Sequence, residues 1–414
     1  MGFSFAENQN ADKMLNCQAK MSSGLLVLGI DATNIRHGGG RTHLLELLSH
    51  AKPRAHGFSK VVVWGSKSTL ALLPDQDWLI KLNPHSCEGG LIDRLIWQYF
   101  GLAKQALVEG CNLLFAPGGN FGGNFRPVVT MSQNMLPFDR RELIRYRLSS
   151  TTLKLIVLRW MQSRSFKKAN AIIFLTRYSA KKVQSITGQL QGLTCIIPHG
   201  VNSRFHLQLN TQKAIENYDL SRPYRLLYVS IVDQYKHQWH VVDAIDILRQ
   251  KTGWPLTLDL VGPAYPAALR RLQKTMAICD LRREWVKYHG SVPYKKLHTF
   301  YAEADLGVFA SSCENMPNIL LEAMAAGLPM ASSDCGPMPE VLGNCGVYFD
   351  PENSTDIAAT LERLIADSSM RAALADKSST RAQQYSWTTC ADQTFTFMQE
   401  VYIHWAEKQK PCAG

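Results

Sequence analysis

Two glutamates, Glu314 and Glu322, stand with seven residues between them in a stretch that has the features of a helix start. The apolar run 305–311 before them predicts a strand, and 328–334 predicts the next strand. Gly327 suits the position just after a helix, where a left-handed backbone is common. The pattern therefore predicts a strand, a loop, a helix and a second strand, with one carboxylate in the loop and one in the helix.

A helix start of this kind can hold an anion. Asn315 is predicted to cap the helix, and Pro317 fits its first turn because proline has no amide hydrogen to lose there. The first amides are then free to bind a phosphate, helped by the helix dipole. Eight helical residues would separate the two carboxylates by about 12 Å, whereas the two carboxyl groups of a retaining glycosidase are about 5 Å apart. We therefore expect a long ligand with a phosphate between its two ends, such as a nucleotide-sugar.

The stretch 286–351 resembles the donor-binding half of glycosyltransferase family 4, of the bacterial surface-polysaccharide type. Three motifs carry the resemblance: Tyr288-His289-Gly290-Ser291-Val292, the block from Glu314 to Glu322, and Gly336-Pro337-Met338-Pro339-Glu340-Val341-Leu342. A weaker likeness extends over residues 24–407. The resemblance implies the GT-B fold, an α/β architecture of two doubly wound, Rossmann-like domains that face a central cleft. It also implies transfer of a sugar from a nucleoside diphosphate with retention at the anomeric carbon.

The resemblance assigns roles on the donor side. Glu322 would accept hydrogen bonds from the ribose, Glu314 would contact the donor sugar at the reacting centre, and Lys236 would stabilise the leaving diphosphate. Relatives add an arginine five residues before that lysine, but Ile231 stands there in this chain. Catalytic candidates are thus Glu314 and Lys236. The other donor-binding candidates, besides Glu322, are Asn315, Met316, Pro317, Asn318, Ser291, Val292, Gly336, Gly39 and Gly40.

Three residues are candidates for the sugar and acceptor side of the cleft. His43 ends a glycine-rich stretch, 37–43, which either approaches the donor phosphates or forms a flexible turn. Gln133 and Asn134 end a strand, about where many relatives place a histidine. An amide cannot act as a base, so hydrogen bonding is what these two can supply. His199 is interpreted as hinge structure rather than chemistry.

A chain of 414 residues exceeds the usual size of one core, so two domains are predicted. Both halves alternate strand-like and helix-like segments, which indicates parallel sheets covered by helices, including helices at 42–50, 91–109 and 139–168. The predicted divisions are a disordered lead-in (1–23), an acceptor-side domain (24–200), a hinge (201–222), a donor domain (223–387) and a closing helix that crosses back to the first domain (388–414).

Signals for metals, disulfides and membrane spans are weak. Ten cysteines are scattered without a Cys-x-x-Cys pair or a metal-type spacing, which favours free thiols in a reducing compartment. No Asp-x-Asp pair stands at a suitable strand end, and no signal peptide or apolar stretch of about 18 residues is found. We therefore expect a cytoplasmic protein with no resident cofactor and no metal requirement.

The net charge of +11 is concentrated in one segment. Residues 140–182 hold twelve Lys or Arg and one acid, Glu142, and the rest of the chain is neutral. A core-packed helix with a basic outer side is one interpretation, and nucleic-acid binding is disfavoured because no recognition fold accompanies the charge. Since apolar side chains are interleaved with the cations, we expect an anionic membrane surface as a partner. The protein would then lie peripherally on the inner face of the cell membrane.

The expected reaction is transfer of a hexosyl group from a UDP- or GDP-linked sugar, with a lean towards GDP-mannose. The acceptor would be a hydroxyl of a growing surface glycan, carried on a polyprenyl-type lipid. The resemblance implies that a donor phosphate oxygen takes the acceptor's proton, so that no protein nucleophile is needed. Two alternatives stay open: a sugar phosphorylase of the same fold, and a non-catalytic partner subunit of a transferase.

Overall fold

The computed structural model describes residues 25–36, 38–146 and 149–409. The lead-in expected at 1–23 lies outside the described residues, and so does Arg147 of the basic segment. Within the described residues the chain forms two parallel sheets with helices packed on their faces. The predicted α/β class and GT-B arrangement are confirmed.

The first domain is built on seven parallel strands: β1 (Leu26–Asp31), β2 (Phe58–Trp64), β3 (Leu79–Leu82), β4 (Leu113–Ala116), β5 (Val128–Met131), β6 (Ala171–Phe174) and β7 (Leu193–Ile196). Their order in the sheet is β3-β2-β1-β4-β5-β6-β7. The direction of strand addition reverses between β1 and β4, and doubly wound sheets bind ligands at such a switch point. Strand β3 was missed by the sequence pattern, because it is a four-residue edge strand with Lys81 inside it.

The helices of this domain are α1 (Gly38–His50), α2 (Lys67–Leu70), α3 (Leu91–Ile96), α4 (Leu102–Val108), α5 (Arg140–Arg145), α6 (Ser150–Lys168) and α7 (Arg177–Thr187). The helix predicted at 42–50 begins four residues earlier, so the glycine run forms its first turn. The helix predicted at 91–109 is interrupted by a π-helical turn, Trp97–Gly101. The helix predicted at 139–168 is two helices, because Asp139 and Ser149 each accept a capping hydrogen bond at a separate helix start.

The second domain has six parallel strands: β8 (Tyr224–Val229), β9 (Leu256–Val261), β10 (Val286–Tyr288), β11 (Leu306–Phe309), β12 (Met330–Ser333) and β13 (Gly346–Phe349). Their order is β10-β9-β8-β11-β12-β13, so the switch point lies between β8 and β11. The helices are α8 (Gln238–Thr252), α9 (Pro266–Cys279), α10 (Leu297–Glu303), α11 (Asn318–Ala325), α12 (Met338–Leu342), α13 (Ser354–Ala366) and α14 (Ser368–Ala382).

The last helix, α15 (Trp387–Gln409), returns to the first domain and packs on α1. Phe395 on α15 meets Phe58 edge-on at 5.9 Å between ring centroids. At the crossing, Gly200 lies so close to the backbone of Trp387 that a side chain there would collide with it. The closing helix therefore ties the two domains together.

The central strands are buried on both faces because helices cover both sides of each sheet, as in β4 and β11. In the part of the chain that the structure describes, every cysteine is a free thiol. No helix in the same part combines the length and the apolar character needed to cross a membrane.

Candidate functional site

Lys236 lies at the carboxyl end of β8, at the switch point of the second sheet. A 3-10 turn, Gln234–Lys236, follows the strand, and His237 then adopts a left-handed backbone (φ 51°) before α8 begins. The Lys236 residue is only 5% exposed, and its Nζ contacts Oε1 of Glu314. The ammonium group also lies 5.3 Å from the ring centroid of Phe309. The structure thus brings both predicted catalytic residues together.

Glu314 lies in the loop between β11 and α11. The helix begins at Asn318 with Pro317 as its N-terminal cap residue, so the prediction that Asn315 caps the helix is wrong. The estimate of about 12 Å assumed a helix that runs from Glu314 to Glu322, but Glu314 precedes the helix. The helix end is as predicted: Gly327 has φ 73°, and the amides of Gly327 and Leu328 bond back to the last turn.

Glu322 is buried on α11, with 5% of its surface exposed, and two tyrosines hold its carboxylate. The hydroxyls of Tyr294 and Tyr301 donate to its two oxygens at 3.1 and 3.2 Å. Burial raises the pKa of Glu322 to about 7, while the tyrosine hydrogen bonds and the charge of Arg204 oppose that rise. A ligand hydroxyl that donates to this carboxylate would favour its ionised form.

One part of the first domain, around His43, faces these loops with neutral groups. The Nε2 of Gln133 lies 3.4 Å from Nδ1 of His43, and a side chain at Gly40 would come within 2.8 Å of Oε1 of Gln133. Gly39 has open space where a side chain would stand. The structure therefore places Gly39, Gly40, His43 and Gln133 in one patch. Asn134 is engaged otherwise, since its side-chain oxygen accepts from the amide of Leu136 and shapes the turn.

His199 completes the first-domain patch, although the sequence favours only a hinge role for it. Its ring stacks on His43 at 4.7 Å, and its Nδ1 lies 3.0 Å from Oδ1 of Asn318 on α11. Burial lowers the pKa of His199 to about 4 and lowers the pKa of His43 well below its usual value. Both imidazoles are neutral near pH 7. The Nε2 atom of each has no hydrogen-bond partner among the described residues, so a bound ligand could satisfy it.

The loop that carries Glu314 is docked on the first domain. The side chain of Asn315 donates to Ser132 at 3.2 Å, and the hydroxyl of Thr176 donates to the backbone carbonyl of Asn315 at 3.0 Å. Glu340 on α12 accepts from the first two amides of α7, at 2.7 and 2.9 Å. The cleft is therefore closed at this point by contacts between the two domains.

Helix α5 of the first domain and the residue after it contact both donor loops, which are the loop before α8 that carries Lys236 and the loop before α11 that carries Glu314. Oε1 of Glu142 accepts from the hydroxyl of Ser312 at 2.7 Å, two residues before Glu314. The hydroxyl of Tyr146, just after α5, donates to Asp233 at 2.9 Å, three residues before Lys236. Arg145 bridges Glu142 and Glu352 of the second domain. Such contacts across a cleft have no signature in local sequence, and these residues were not predicted.

The remaining donor-side candidates lie around the same loops. Gly336 (φ 60°) packs beside the backbone of Glu314, and Met316 is buried in the core. Ser291 is exposed after β10, and Val292 packs on the core just before Tyr294. Ile231, which stands where relatives have an arginine, is 38% exposed. The described residues contain no cluster of three or more His, Cys, Asp or Glu suited to a metal.

A family model described as "Glycosyl transferases group 1" matches residues 223–367. The second domain is a group 1 glycosyl transferase domain. Among curated relatives, an O-antigen chain mannosyltransferase B of Escherichia coli is 28% identical over 180 residues, which cover 44% of this chain and 47% of that protein. A serotype-specific mannosyltransferase, WbdA, of Escherichia coli is 23% identical over 231 residues, which cover 55% of this chain and 28% of that protein. The match thus spans half or less of each relative's own length.

Several solved structures superpose on almost the whole length of this chain. A sucrose-phosphate synthase from Thermosynechococcus elongatus superposes with a TM-score of 0.72 over 92% of this chain and 100% of that one, at 16% identity. WaaG, a glycosyltransferase involved in lipopolysaccharide biosynthesis, superposes with a TM-score of 0.66 over 90% of this chain and 99% of that one, at 16% identity. At this level of identity the likeness identifies the fold, which is GT-B.

Proposed function

We propose that this chain transfers a hexosyl group, with retained configuration, from a nucleoside-diphosphate sugar to a hydroxyl of a growing surface glycan. The observation that carries the proposal is the buried pair of Lys236 and Glu314 at the switch point of a group 1 glycosyl transferase domain. Glu322 lies on the helix that follows Glu314, and in this proposal its carboxylate accepts hydrogen bonds from the ribose hydroxyls. The names of the two mannosyltransferase relatives support a mannosyl donor, and thus GDP-mannose.

The proposed reaction breaks the bond between the anomeric carbon and the diphosphate oxygen and forms a bond to the acceptor oxygen on the same face. The acceptor's proton passes to an oxygen of the departing diphosphate, so the nucleoside diphosphate leaves with that proton. Lys236 stabilises the charge that grows on the diphosphate, and Glu314 orients the sugar. The neutral imidazoles of His43 and His199, with Gln133, supply hydrogen bonds to sugar and acceptor hydroxyls rather than a base.

Release of free nucleotide from a panel of nucleotide-sugars tests this function. We expect turnover with GDP-mannose and an α-linked product from the α-linked donor, read by NMR of the anomeric proton. Turnover that requires inorganic phosphate and yields a sugar phosphate would instead favour a phosphorylase. A complete lack of turnover and of nucleotide binding would favour a non-catalytic subunit. Binding is measured by thermal shift with UDP, GDP and ADP, since a ligand at about 100 times its Kd adds roughly 2.7 kcal/mol of stability.

We also propose that the chain attaches peripherally to the cytoplasmic face of the membrane, where a lipid-carried glycan would present its hydroxyl. Helix α6 supports this attachment, because it exposes an apolar stripe at the spacing of one helix face, formed by Leu153, Ile156, Val157 and Trp160. Leu153 and Trp160 are each 64% exposed. Not every cation of the basic segment is free for lipid, because Arg145 and Lys182 are held in ion pairs.

Co-sedimentation with anionic vesicles tests the attachment. Leu153→Ser with Trp160→Ser should weaken binding, whereas Leu220→Ser with Leu281→Ser removes two even more exposed apolar side chains from outside the first domain and should not. Raising the salt concentration should weaken binding of the unmodified chain, since screening shortens the reach of the attraction. Equal binding by both double variants would contradict the attachment through α6.

A further inference from the structure

A cavity of about 390 Å³ lies in the first domain, between α5, α6 and α7. Four cations line it: Arg140 and Arg141 from α5, Arg159 from α6 and Lys182 from α7. Asp139 is the one acidic residue in its wall. The cavity therefore collects positive charge from three separate helices that are distant in sequence.

The one acidic residue pairs with only one of these four cations. One oxygen of Asp139 accepts from the backbone amide of Arg141 at 3.0 Å, and the other pairs with Lys182 at 3.2 Å. The side chains of Arg140, Arg141 and Arg159 form no ion pair or hydrogen bond with any other part of the described chain. Like charges gathered around one cavity repel one another. A bound anion would relieve that repulsion, and guanidinium groups suit a phosphate because their fork of donors matches its oxygens.

The cavity opens beside the apolar stripe of α6. Arg159 immediately precedes Trp160 in the helix and lies one turn after Ile156, so the stripe and the cation share adjacent faces of α6. An amphipathic helix at a membrane buries its apolar face at the boundary between headgroups and acyl chains. With the stripe at that boundary, the cavity lies at the level of the lipid phosphates.

We propose that this cavity is a binding site for the phosphate headgroup of an anionic membrane lipid. The inference rests on the membrane attachment proposed above and specifies its polar partner. Arg140 and Arg159 donate hydrogen bonds to the phosphate oxygens, while Trp160 and its apolar neighbours on α6 contact the acyl region. The site lies against α5, and Glu142 of that helix and Tyr146 just after it contact the donor loops. The lipid is thus held close to the side of the cleft where transfer is proposed.

Two vesicle compositions with equal surface charge test the site. Phosphatidylcholine vesicles contain either phosphatidic acid, whose phosphate is exposed, or phosphatidylserine, whose phosphate is esterified on both sides. We expect the unmodified chain to prefer phosphatidic acid by about tenfold or more, which corresponds to one charge-assisted hydrogen bond. The variant Arg140→Gln with Arg159→Gln should bind both vesicles equally. Diffuse attraction, in contrast, depends on surface charge alone and shows no preference.

The matched control is Lys52→Gln with Lys67→Gln, which removes the same charge from residues flanking β2, four strands away from β6 in the sheet. This control should keep the preference for phosphatidic acid. Loss of the preference in the control, or its survival in the cavity variant, would overturn the assignment. Circular dichroism and thermal unfolding of each variant establish that the fold is intact.

Inorganic phosphate separates a lipid site from a site for a free anion. Release of the unmodified chain from phosphatidic acid vesicles by inorganic phosphate supports the cavity as the point of contact. If inorganic phosphate binds saturably and Arg159→Gln abolishes that binding, while no preference between vesicles exists, then the site serves a free anion and the proposal is wrong. These vesicle assays contain neither donor nor acceptor, so they are independent of the proposed activity. A chain without nucleotide-sugar turnover can still prefer phosphatidic acid, and an active chain can lack that preference.

Discussion

The two walls of the cleft differ in charge. The second-domain wall presents Lys236, Glu314 and Glu322, all largely buried and each held by a specific partner. The first-domain wall presents His43, Gln133 and His199, which are neutral near pH 7 because burial lowers the pKa of both imidazoles. In the proposed reaction, negative charge grows on the leaving diphosphate. The charged wall therefore fits the donor, whereas the neutral wall fits hydroxyl groups whose charge changes little.

The difference also concerns how the groups are held in place. A buried ion pair is costly to desolvate and is tolerated only when its geometry is fixed. The donor loops are fixed from the opposite domain, through Glu142 to Ser312 and through Tyr146 to Asp233. The neutral wall needs no such bracing, since its rings stack on one another. The comparison suggests that closure of the two domains sets the geometry of the charged wall.

The largest expected effect comes from Lys236→Ala. Removing the cation that meets the leaving diphosphate should lower kcat by about 100- to 1000-fold, the usual cost of one preorganised donor in the transition state. Lys295→Ala removes an exposed lysine next to Tyr294 and should leave kcat unchanged. Because Lys236→Ala leaves Glu314 buried without its partner, stability is measured as well. The variant Lys236→Met with Glu314→Gln removes both charges, and a folded but active form of it would refute the role of the pair.

A smaller effect, on binding rather than on rate, is expected from Glu322→Gln. Loss of a charged acceptor for the ribose hydroxyls should weaken nucleotide binding by about 2 kcal/mol, or roughly 30-fold in Kd, with little change in kcat. The measurement is calorimetric titration with the nucleotide that gives the largest thermal shift. Glu303→Gln, which changes an exposed glutamate on α10, is the control. An unchanged Kd in Glu322→Gln would remove this residue from the donor site.

The raised pKa of Glu322 should also make the stability of the chain depend on pH. Burial raises the pKa of Glu322 to about 7 from its ordinary value near 4.5, so the folded chain keeps the proton that the unfolded chain has already lost between these values. Glu322 therefore lowers stability progressively as pH rises from about 4.5 to about 7, by up to about 3 kcal/mol. Chemical unfolding of the ligand-free chain should give a free energy of unfolding that falls over this pH range, whereas that of the Glu322→Gln variant should lack this fall. Nucleotide that donates to the ionised carboxylate should bind more tightly above pH 7.

A modest effect is expected where α5 braces the charged wall. Tyr146→Phe removes the hydroxyl that donates to Asp233, and Glu142→Gln weakens the contact to Ser312. Each loss is worth about 1 kcal/mol, so kcat should fall about fivefold while KM for the donor stays unchanged. The control is Tyr265→Phe, whose hydroxyl makes a long, exposed contact with the first domain at 3.4 Å. A fall in donor affinity without a fall in kcat would show that α5 does not position the reacting groups.

The sequence predicted the parts of the site that lie within one strand-helix unit. The alternation of apolar residues and the glycine stop are local signals, and they located β11, α11 and the turn at Gly327. The cap was wrong because the helix begins only at Asn318, while the side-chain nitrogen of Asn315 donates to Ser132 of the other domain, a contact that nothing near Asn315 in the sequence signals. Propensity at one position yields to such a tertiary contact.

The partners of Glu322 had a signal that could have been used. Tyr294 and Tyr301 are seven residues apart, across a 3-10 turn and α10, so a helical backbone places them on one side. His199 had no such signal, since its contacts to His43 and Asn318 bring together three distant parts of the chain. The charged wall lies mostly on one strand-helix unit, which local patterns can predict, whereas the neutral wall joins three separate segments of the first domain, of which only His199 lacked a local signal.

The smallest expected effect is that of removing divalent metal. Metal ions assist diphosphate departure by neutralising the charge that develops, and Lys236 with the first amides of α11 can supply that neutralisation from the charged wall. We expect transfer to continue at an unchanged rate after dialysis against EDTA, measured as nucleotide release with the best donor. Before the donor binds, Glu314 pairs with Lys236, so the diphosphate must compete with Glu314 for the ammonium group. The variant Glu314→Gln removes this competitor, and its transfer rate should therefore also be unchanged by EDTA. If EDTA abolished transfer and magnesium restored it, the diphosphate would depend on a metal for its charge, and the contrast between the two walls would lose its chemical basis.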